Sequence, residues 1–451
     1  MTTVTFYSGV GQIGGNMIHL ADGSTAVFLD FGKNYKGEGQ FFDEPYLRPR
    51  EEKHLLDLGL LPNIDGLYKK DERDAHLDAI VLSHVHTDHT DYIRYVKDHI
   101  PVYSSQVTRD VMVAREWSSP GGPSTEYRIA SLTKTRGEEI SKELRILSLD
   151  GPAEIGSLQI EALSVDHSAP GACGLIVHSQ ASDPVVYTGD FRWHGRRGEE
   201  TQRFIQRAAE VKPSALIIEG TNIVSGRPST EEEVREKVER LVSAVPKLVL
   251  AGFSAIDTDR MRTFYEVARA TGRRLALSMK QAFLLLNLGA AAPFGLDDPL
   301  VLAFRREKKT EYLWESRVEE TGVTVVTNED IRSMQELVIL VASFYDMNEM
   351  VDIQPQPGSV YILSQSEPFN EEMEIDFDKL LNWLERWGIP LYNIHTSGHC
   401  LPLDLKETIR RIGARKVFLI HTEKPALYKQ YLQDLPGAEV ICPLVGEQYH
   451  I

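Results

Sequence analysis

The sequence contains 451 residues with a formal net charge of −17, and 42% of its residues are hydrophobic. Such a chain is long enough for two or three domains with large cores, and its composition is that of an ordinary globular protein. No stretch approaches about 18 uninterrupted apolar residues, which excludes a membrane-spanning helix. The acidic balance does not exclude a nucleic-acid partner, because a basic groove can lie on an acidic body.

The N-terminal segment and the cysteines indicate the compartment. "MTTVTFYSGVGQIGGN" has neither a basic region nor an apolar stretch, so we predict no secretory signal. The cysteines are few, odd in number and widely separated: Cys173, Cys400 and Cys442. This pattern argues against a disulfide framework and against a cysteine-based zinc site, and it favours the reducing cytoplasm.

The first half of the chain reads mainly as strands. Short β-branched or aromatic runs predict buried strands, among them "VTFYS", "TAVFLDFG", "LDAIVLS" (77–83), "LQIEALSV", "PVVYTGD" and "SALIIEG". Residues 33–76 are polar and contain prolines, so we predict a long connection with short helices rather than core. The segment "HTDYIRYVKDHI", which follows the strand at 77–83, has helical spacing.

The pattern changes near residues 222–230. Thr230 and Glu233 fit a capping box at the start of a helix over 230–244. From there to about residue 390 the chain alternates strands and helices, which is typical of a separate α/β unit. The apolar spacing predicts further helices over 256–270, 377–387, 403–412 and 424–434.

Two local basic clusters interrupt the acidic sequence. They are "FRWHGRRG" and "FRREKK", which contain Arg192, Arg196 and Arg197 in the first and Arg305, Arg306, Lys308 and Lys309 in the second. Each cluster can be interpreted as solvated surface charge or as an RNA-facing patch. Composition does not decide between the two interpretations.

The most distinctive stretch is "LSHVHTDHT", residues 82–90. A predicted strand ends there in four candidate metal ligands, His84, His86, Asp88 and His89. Imidazole and carboxylate are ligands that borderline divalent ions such as zinc prefer. His84 and His86 are two residues apart on an extended segment and can lean to the same side, and the other two follow at the turn. One loop can therefore contribute to two ions.

One loop cannot complete two metal sites, so we expect further ligands at other strand ends. The candidates are Asp30 in "VFLDFG", His167 in "LSVDHSAPGACG", Asp190 in "VVYTGD" and His421 in "KVFLIHTE". Taken singly, each of these is more often a turn or cap residue than a ligand. Because all four lie at predicted strand ends, we treat them as one set of candidate metal ligands.

The chain resembles the metallo-β-lactamase fold in the order of its candidate ligands, Asp30, His84, His86, Asp88, His89, His167 and Asp190. Within that fold it is similar to the β-CASP nucleases, in which an extra α/β domain is inserted late in the lactamase fold. Further motifs of those nucleases match Glu219 in "LIIEGTN", His399 in "HTSGHC" and His421. The 22-residue spacing from His399 to His421, with "GFSAIDTDRM", "SGRPSTEE" and "GVGQIGGN", resembles the ribonuclease J branch.

The resemblance implies an α/β fold, the αβ/βα four-layer sandwich of the metallo-β-lactamases. Residues 1–222 and 391–451 would form this sandwich, and 223–390 the inserted β-CASP domain. The sequence ends 30 residues after His421, so it looks more like the short archaeal type without a C-terminal domain. As a departure, "VASFYD" (341–346) stands where many relatives have Gly-Ser-Gln-Gly-Glu-Pro, which puts RNA contacts from that loop in doubt.

The resemblance also implies two zinc ions, the first held by His84, His86 and His167 and the second by Asp88, His89 and His421, with Asp190 as the bridge. Such a pair supports phosphodiester hydrolysis by a shared hydroxide, and manganese is the alternative metal. Besides Asp88, the expected catalytic residues are His399, as general acid for the leaving 3′ oxygen, and Glu219, which orients it and keeps it protonated. Asp30 is expected to support the ligand loop without binding metal.

A phosphate or RNA contact is expected near the turn at Ser397 and Gly398. Ser364 and Ser366 of "LSQSEP", together with His395, are further candidates. Hydroxyl and backbone N–H groups of such turns can bind a phosphate, and in the family such a pocket reads the 5′-monophosphate of RNA. The alternative interpretation is an ordinary set of serine-rich turns.

The sequence therefore predicts a cytoplasmic, homodimeric zinc ribonuclease that degrades single-stranded RNA from its 5′ end, with endonuclease activity as a further option. Three alternatives stay open: a DNA nuclease of the Artemis type, a small-molecule hydrolase of glyoxalase or lactonase type, and a non-catalytic RNA-binding scaffold. His421 favours RNA, because the DNA nucleases typically have another residue there. The insert and the Glu219–His399 pair argue against the small-molecule hydrolase, and the complete ligand set argues against the scaffold.

Overall fold

The structure is a computed structural model that describes residues 2–43, 46–119, 125–133, 137–224, 226, 228–308, 310–366 and 371–451. Strands are numbered in chain order: β1 (Thr2–Ser8), β2 (Met17–Asp22), β3 (Thr25–Phe31), β4 (Ala79–Val81), β5 (Val102–Ser104), β6 (Ala130–Thr133), β7 (Gly137–Ile140), β8 (Leu144–Ile146), β9 (Ala153–Ile155), β10 (Leu158–Ser164), β11 (Cys173–His178), β12 (Val185–Tyr187), β13 (Ala215–Ile218), β14 (Val249–Gly252), β15 (Arg274–Ser278), β16 (Val301–Phe304), β17 (Thr324–Val326), β18 (Val338–Val341), β19 (Val360–Leu363), β20 (Leu391–Asn393), β21 (Lys416–Leu419), β22 (Glu439–Ile441) and β23 (Gln448–His450).

The helices are numbered in the same way: α1 (Tyr35–Glu38), α2 (Glu52–Asp57), α3 (Thr87–Thr90), α4 (Gln106–Trp117), α5 (Gly198–Glu210), α6 (Glu231–Ala244), α7 (Thr258–Ala270), α8 (Met279–Leu288), α9 (Leu313–Glu319), α10 (Asn328–Ser333), α11 (Met350–Ile353), α12 (Glu371–Trp387), α13 (Pro402–Ile412) and α14 (Pro425–Tyr431). The five predicted helices correspond to α6, α7, α12, α13 and α14. In the described part of the chain, no helix has the length and apolar character needed to cross a membrane.

Two seven-stranded sheets pack face to face. The first has the order β23-β1-β2-β3-β4-β5-β8, and the second has the order β22-β21-β13-β12-β11-β10-β9. One hydrophobic cluster between them combines Phe6 and Leu29 of the first sheet with Leu175, Tyr187 and Phe418 of the second. The alternation of inward apolar residues along these strands explains why each sheet presents a hydrophobic face.

Helices cover both outer faces of this sandwich. On the second sheet, Phe204 of α5, Ile409 of α13 and Tyr428 of α14 pack in one cluster with strand residues such as Ile218. On the first sheet, α4 packs in the same cluster as Ile80 of β4. The layers thus run helix, sheet, sheet, helix, which is the predicted αβ/βα sandwich.

The chain leaves the sandwich once and returns to it. Strands β13 and β21 are parallel neighbours, with Ala215 opposite Lys416, although residues 219–415 lie between them in sequence. The intervening residues form a third sheet with the order β17-β16-β15-β18-β14-β19-β20, in which all recorded strand pairs are parallel. Its last strand, Leu391–Asn393, lies just beyond residue 390, the predicted end of the insert.

The third sheet is not isolated from the sandwich. Val111 and Met112 of α4 belong to the same hydrophobic cluster as Ala282 and Phe283 of α8. The two regions therefore share one continuous hydrophobic core. Separating them would expose this apolar cluster to water, which is unfavourable.

Two local predictions need correction. The segment 33–76 contains the short helices α1 and α2 as predicted, but Leu55, Leu67 and Tyr68 are buried in the main hydrophobic cluster, so it contributes to the core. Its apolar residues are scattered among polar ones, which hides their common face in the sequence. At Thr230 the side chain accepts a hydrogen bond from the N–H of Glu233 as expected, but the Glu233 carboxylate accepts from Ser229 instead of completing the capping box.

Candidate metal centre

The candidate ligands lie at strand ends along one edge of the sandwich. Asp30 is near the end of β3, His84 follows β4, His167 follows β10, Asp190 follows β12 and His421 follows β21. The pairs β3–β4 and β13–β21 are parallel, as is β12–β13. The carboxyl ends of parallel strands meet at one edge, so the fold itself gathers these side chains.

The first group of donor atoms comprises His84, His86, His167 and Asp190, whose ligand atoms all lie within 4.8 Å of one another. Nδ1 of His86 is 3.1 Å from Nε2 of His84 and 3.0 Å from Nε2 of His167. Burial lowers the pKa of His84 and His167 well below the ordinary range and lowers that of His86 to about 4. These imidazoles are therefore neutral at physiological pH, which is the form that binds a metal.

The second group comprises Asp88, His89 and His421. Nε2 of His421 lies 3.3 Å from Nε2 of His89 and 3.2 Å from Oδ2 of Asp88. Burial opposes ionisation of Asp88, but the adjacent His89 and His421 hold its pKa well below the usual range. The two groups adjoin at Asp190, whose Oδ2 is 3.7 Å from Nε2 of His84 and 3.2 Å from Nε2 of His89.

The chemistry of these residues fits two divalent ions. Asp190 is 2% exposed, and its Oδ1 has no hydrogen-bond partner among the described residues. Burial opposes its charged form, yet the surrounding imidazoles of His421, His89 and His399 hold its pKa well below the usual range. A buried carboxylate with an unsatisfied oxygen is costly unless a cation binds it. Nitrogen and oxygen donors in this number suit zinc and also manganese.

Hydrogen bonds outside the two groups fix the imidazole orientations. Nδ1 of His167 donates to the carbonyl of Gly398 over 2.7 Å, and Nδ1 of His89 donates to Oδ2 of Asp30 over 2.7 Å. In each ring Nε2 faces the centre. For His89 the carboxylates of Asp190, Asp88 and Asp30 outweigh burial and raise the pKa well above the ordinary range, so a bound metal would replace a proton on this ring. Asp30 also accepts from the backbone N–H and the hydroxyl of Ser83 and from the hydroxyl of Tyr187. All its contacts orient neighbours of the centre.

Unusual backbone conformations and close glycine contacts occur at the same edge of the sandwich. Asp30 and His421 have φ values of 58° and 50°, a region that side chains other than glycine rarely adopt. A Cβ at Gly14 would lie 2.6 Å from Oδ2 of Asp88, and a Cβ at Gly32 would overlap the Asp88 carbonyl. The glycine-rich turn noted in the sequence thus approaches the ligand loop closely.

A third cluster lies beside the centre and comprises Asp190, Glu219 and His399. Nδ1 of His399 is 3.3 Å from Oε1 of Glu219 and 3.7 Å from Oδ2 of Asp190. Burial would lower the pKa of His399, but the carboxylates of Glu219 and Asp190 outweigh it and raise the pKa to about 9. The His399 side chain is 21% exposed, so it can exchange protons with solvent or substrate.

Two residues beside this cluster were missed in the sequence. The amide of Asn222 donates to Oγ of Ser397 and to the carbonyl of His399, each over 2.9 Å. Oγ1 of Thr221 is 2.9 Å from Nδ1 of His421. Thr221 and Asn222 are two and three residues after Glu219 in "LIIEGTN", and this proximity was the available signal.

The five phosphate candidates lie in different surroundings. The carbonyl of Gly398 accepts from Nδ1 of His167 at the metal centre, and the carbonyl of Ser397 accepts from the buried Arg192. Ser364 is buried, where it accepts from Arg260 and donates to the carbonyl of Ile394, and His395 adjoins the same guanidinium. Ser366 lines a separate cavity at the third sheet. The phosphate pocket therefore stays a prediction for these five residues.

The cluster in "FRWHGRRG" is neither solvated charge nor an exposed RNA patch. Arg192 is fully buried and donates to Asp166, Glu231, Asp259 and the carbonyl of Ser397. Glu231 and Asp259 belong to α6 and α7, whereas Asp166 belongs to the sandwich. Arg192 therefore ties the third-sheet region to the loop that carries His399. The identical side chains in the motif gave no sign of which one is buried.

Comparisons with known proteins agree with this geometry. Residues 66–211 match the family described as Beta-lactamase superfamily domain. A ribonuclease J from Sinorhizobium meliloti is 24% identical over 437 residues, which cover 92% of this chain and 68% of that protein. A ribonuclease J from Mycolicibacterium smegmatis is 24% identical over 436 residues, with coverages of 93% and 68%.

A solved structure shows the same fold along the whole chain. It is a protein of unknown function from Enterococcus faecalis V583, with a TM-score of 0.76, 23% identity and coverage of 99% of both chains. The predicted resemblance is confirmed by these matches, while the short archaeal type stays a prediction. The chain thus contains a metallo-β-lactamase domain and is similar to ribonuclease J along almost its entire length.

Proposed function

We propose that this protein is a ribonuclease that uses two zinc ions to hydrolyse RNA phosphodiester bonds from the 5′ end. Two observations support the proposal together. The ribonucleases J of two organisms align with more than nine-tenths of this chain. The sandwich edge carries two groups of nitrogen and oxygen donors suited to divalent ions.

The observation that carries the proposal is the position of Asp190. Its Oδ2 adjoins both donor groups and also lies 3.7 Å from Nδ1 of His399. A carboxylate that two ions would both reach, beside a proton donor, suits metal-assisted phosphodiester hydrolysis. Each ligand then has a role: His84, His86 and His167 in one site, and Asp88, His89 and His421 in the other, with Asp190 between them.

Two bound divalent ions would supply Lewis acidity and lower the pKa of water to about 7. Side chains of the protein would donate the proton to the leaving group and position the proton donor. Glu219 accepts the Nδ1 proton of His399, which leaves Nε2 as the nitrogen that protonates the leaving 3′ oxygen when the P–O3′ bond breaks. Asn222 holds the backbone of His399 and so fixes the distance of this acid from the scissile bond. Asp30 acts only by orienting His89 and Ser83.

The substrate assignment is single-stranded RNA with an accessible 5′ end, acted on in the cytoplasm by a homodimer. The ribonuclease J relatives support RNA, and the two buried free thiols, Cys173 and Cys400, are compatible with a reducing compartment. Endonuclease cleavage belongs to the same proposal, because the proposed chemistry does not depend on the position of the bond. Multi-angle light scattering measures the oligomeric state directly.

A metal and substrate survey tests the proposal. Bound metals are measured by mass spectrometry for the protein as purified and after reconstitution with zinc or manganese. Hydrolysis is then compared for RNAs of one sequence bearing a 5′-monophosphate, 5′-triphosphate or 5′-hydroxyl group, and for the matching DNA. The expected result is two ions per chain, hydrolysis of RNA well above that of DNA, and release of nucleotides starting at the 5′ end.

The variant Asp88→Ala provides the internal control, with Asp183→Ala as the matched surface substitution. Asp183 pairs with Arg415 at the surface, at the opposite end of β12 from Asp190. Asp88→Ala is expected to lose bound metal and hydrolysis, and Asp183→Ala to keep both. Equal cleavage of RNA and DNA would refute the RNA assignment, and full activity of Asp88→Ala would refute the two-metal site.

A further inference from the structure

A cavity of about 920 Å³ opens at the edge of the third sheet. Its lining includes the second residue after each of five strands: Ser254 after β14, Lys280 after β15, Arg306 after β16, Ser343 after β18 and Gln365 after β19. None of the proposed metal ligands lines it. The cavity is therefore a second concave site on this chain, of the size that small ligands occupy.

The strand order places this cavity where parallel sheets bind ligands. From β14 the chain moves outward through β15, β16 and β17 on one side, whereas β18 returns to the centre and β19 and β20 extend the other side. Connections leaving the central strands in opposite directions open a crevice at their carboxyl ends. Ligands of open α/β sheets bind in that crevice.

Aromatic rings form much of the wall. Tyr312 and Trp314 lie nearly parallel, with an interplanar angle of 13°, and Phe253, Phe344 and Phe377 line the same cavity. Trp314 is only 5% exposed, and its indole N–H has no partner within the described residues. A buried donor without a partner costs free energy that a ligand acceptor can recover. The flat rings suit a flat aromatic ligand.

Positive charge borders these rings. Lys308 lies over the Tyr312 ring at 4.4 Å and pairs with Glu315, and Arg306 pairs with Asp346. Lys280 forms no ion pair within the described part of the chain and occupies the first turn of α8, at the positive end of that helix. Burial, with Arg306 and Lys308, lowers the pKa of Lys280 against the opposing effect of Asp346 and Glu315. A bound anion would favour the charged form of this lysine.

We propose that this cavity binds a nucleotide, with the phosphate at Lys280 and the first turn of α8 and the base against Tyr312 and Trp314. The combination of an unpaired cation with stacked aromatic rings matches the two halves of a nucleotide better than it matches an anion or an apolar molecule alone. The nucleotide can be free or can belong to an RNA strand. The proposal is independent of whether the metal centre hydrolyses RNA.

Calorimetric titration of the full chain with adenosine 5′-monophosphate tests the site, with adenosine and inorganic phosphate as single-component probes. The background is Asp88→Ala, so that the metal centre does not compete for the phosphate. Adenosine 5′-monophosphate is expected to bind more tightly than either component. Lys280→Ala is expected to weaken binding by about tenfold, the effect of losing one charge-assisted hydrogen bond. Tyr312→Ala is expected to weaken it by a similar factor through lost stacking.

Lys237→Ala is the matched control, because Lys237 is an exposed lysine on α6 of the same region and does not line the cavity. Tyr312→Phe should restore the affinity that Tyr312→Ala loses, which separates stacking from a folding defect. A 5′-hydroxyl hexa-adenylate is titrated in parallel. If it alone responds to Lys280→Ala, the nucleotide belongs to an RNA strand.

Three outcomes overturn the proposal. The first is that neither adenylate probe responds to Lys280→Ala or Tyr312→Ala. The second is that inorganic phosphate binds as tightly as the nucleotide, which would make the cavity a simple anion site. The third is that the nucleotide binds the unsubstituted protein but not the Asp88→Ala background, which would place it at the metal centre. Each result also leaves the ribonuclease proposal to be judged by its own metal and hydrolysis measurements.

Discussion

Two edges of this molecule occupy the same place in their sheets and carry opposite chemistry. At the sandwich edge, loops that follow strand ends bring together buried imidazoles and carboxylates around Asp190. At the third-sheet edge, loops in the same relation to their strands bring together aromatic rings and cations around an open cavity. The fold therefore fixes where side chains converge, and the residue types in the loops decide what converges there.

Electrostatics separates the two edges further. The neutral imidazoles of His84, His86 and His167 and the ionised carboxylates make the sandwich edge a site for cations. Lys280 and the neighbouring helix N-terminus favour an anion at the third-sheet edge. The net charge of −17 describes neither edge. Substitutions in each region test this contrast.

The largest effect is expected from Asp190→Asn, which keeps the shape of the side chain and removes the charge shared by both donor groups. We expect loss of at least one bound ion and a decrease in kcat of more than about 10⁴-fold, because metal-assisted attack and acid catalysis fail together. Metal content and single-turnover hydrolysis measure the two consequences. Retention of both ions with normal hydrolysis would show that Asp190 is not the shared ligand.

A smaller loss is expected from His399→Ala. Because His399 belongs to neither donor group, the variant should keep both ions while kcat falls by about 10³-fold, within the range of general acids. KM should change little, since the acid acts on the leaving oxygen. His178→Ala, at a histidine that packs against Glu161 on β10, is the matched control and should keep normal kcat. Loss of metal from His399→Ala would identify this residue as a ligand.

Glu219→Gln is expected to act through His399 and to cost about tenfold in kcat. The carboxylate of Glu219 is the main group that raises the pKa of His399 to about 9 against the effect of burial. A general acid works while it is protonated, so hydrolysis should decline as the pH rises through this value. Replacing the carboxylate by a neutral amide lowers the pKa and moves that decline to lower pH. A pH–rate profile whose alkaline side is unchanged would contradict this role.

The sandwich edge was readable in the sequence because its signals are local. His84, His86, Asp88 and His89 share one loop, and strand-end positions suggested the remaining ligands. The fold class followed from resemblance and is confirmed by the architecture. Hydrophobic periodicity also located α6, α7, α12, α13 and α14, whereas α4, α5 and α8 were not predicted. Leu55 and Leu67 entered the core from a segment that looked like a polar loop.

The third-sheet edge was not readable in the same way. Lys280 is in the first turn of α8, whereas Arg306 and Tyr312 lie in the connection between β16 and α9. They line one cavity only after the parallel sheet has formed. Likewise "FRREKK" looked like a basic patch, yet Arg305 pairs with Glu319 and Arg306 with Asp346. Lys309 of that cluster lies outside the described residues. Ion-pair partners that are distant in sequence determine the net charge of a surface, and the local sequence does not indicate which residues they are.

The smallest effect on hydrolysis is expected from Arg192→Met, which tests whether the two edges are mechanically connected. Removing this buried guanidinium breaks its ion pairs with Asp166 and Asp259 and its hydrogen bond to the carbonyl of Ser397, two residues before His399. Among the described residues, only the weaker set of contacts from Arg197 and His194 to these groups remains. We expect a loss of unfolding free energy of about 3–5 kcal/mol, as for other broken buried ion pairs, and a severalfold lower kcat below the unfolding transition. Arg262→Met is the control, because its exposed pair with Glu266 should contribute less than about 1 kcal/mol. If denaturant unfolding shows equal stability for both variants, the Arg192 network does not hold the third-sheet region against the loop of the general acid.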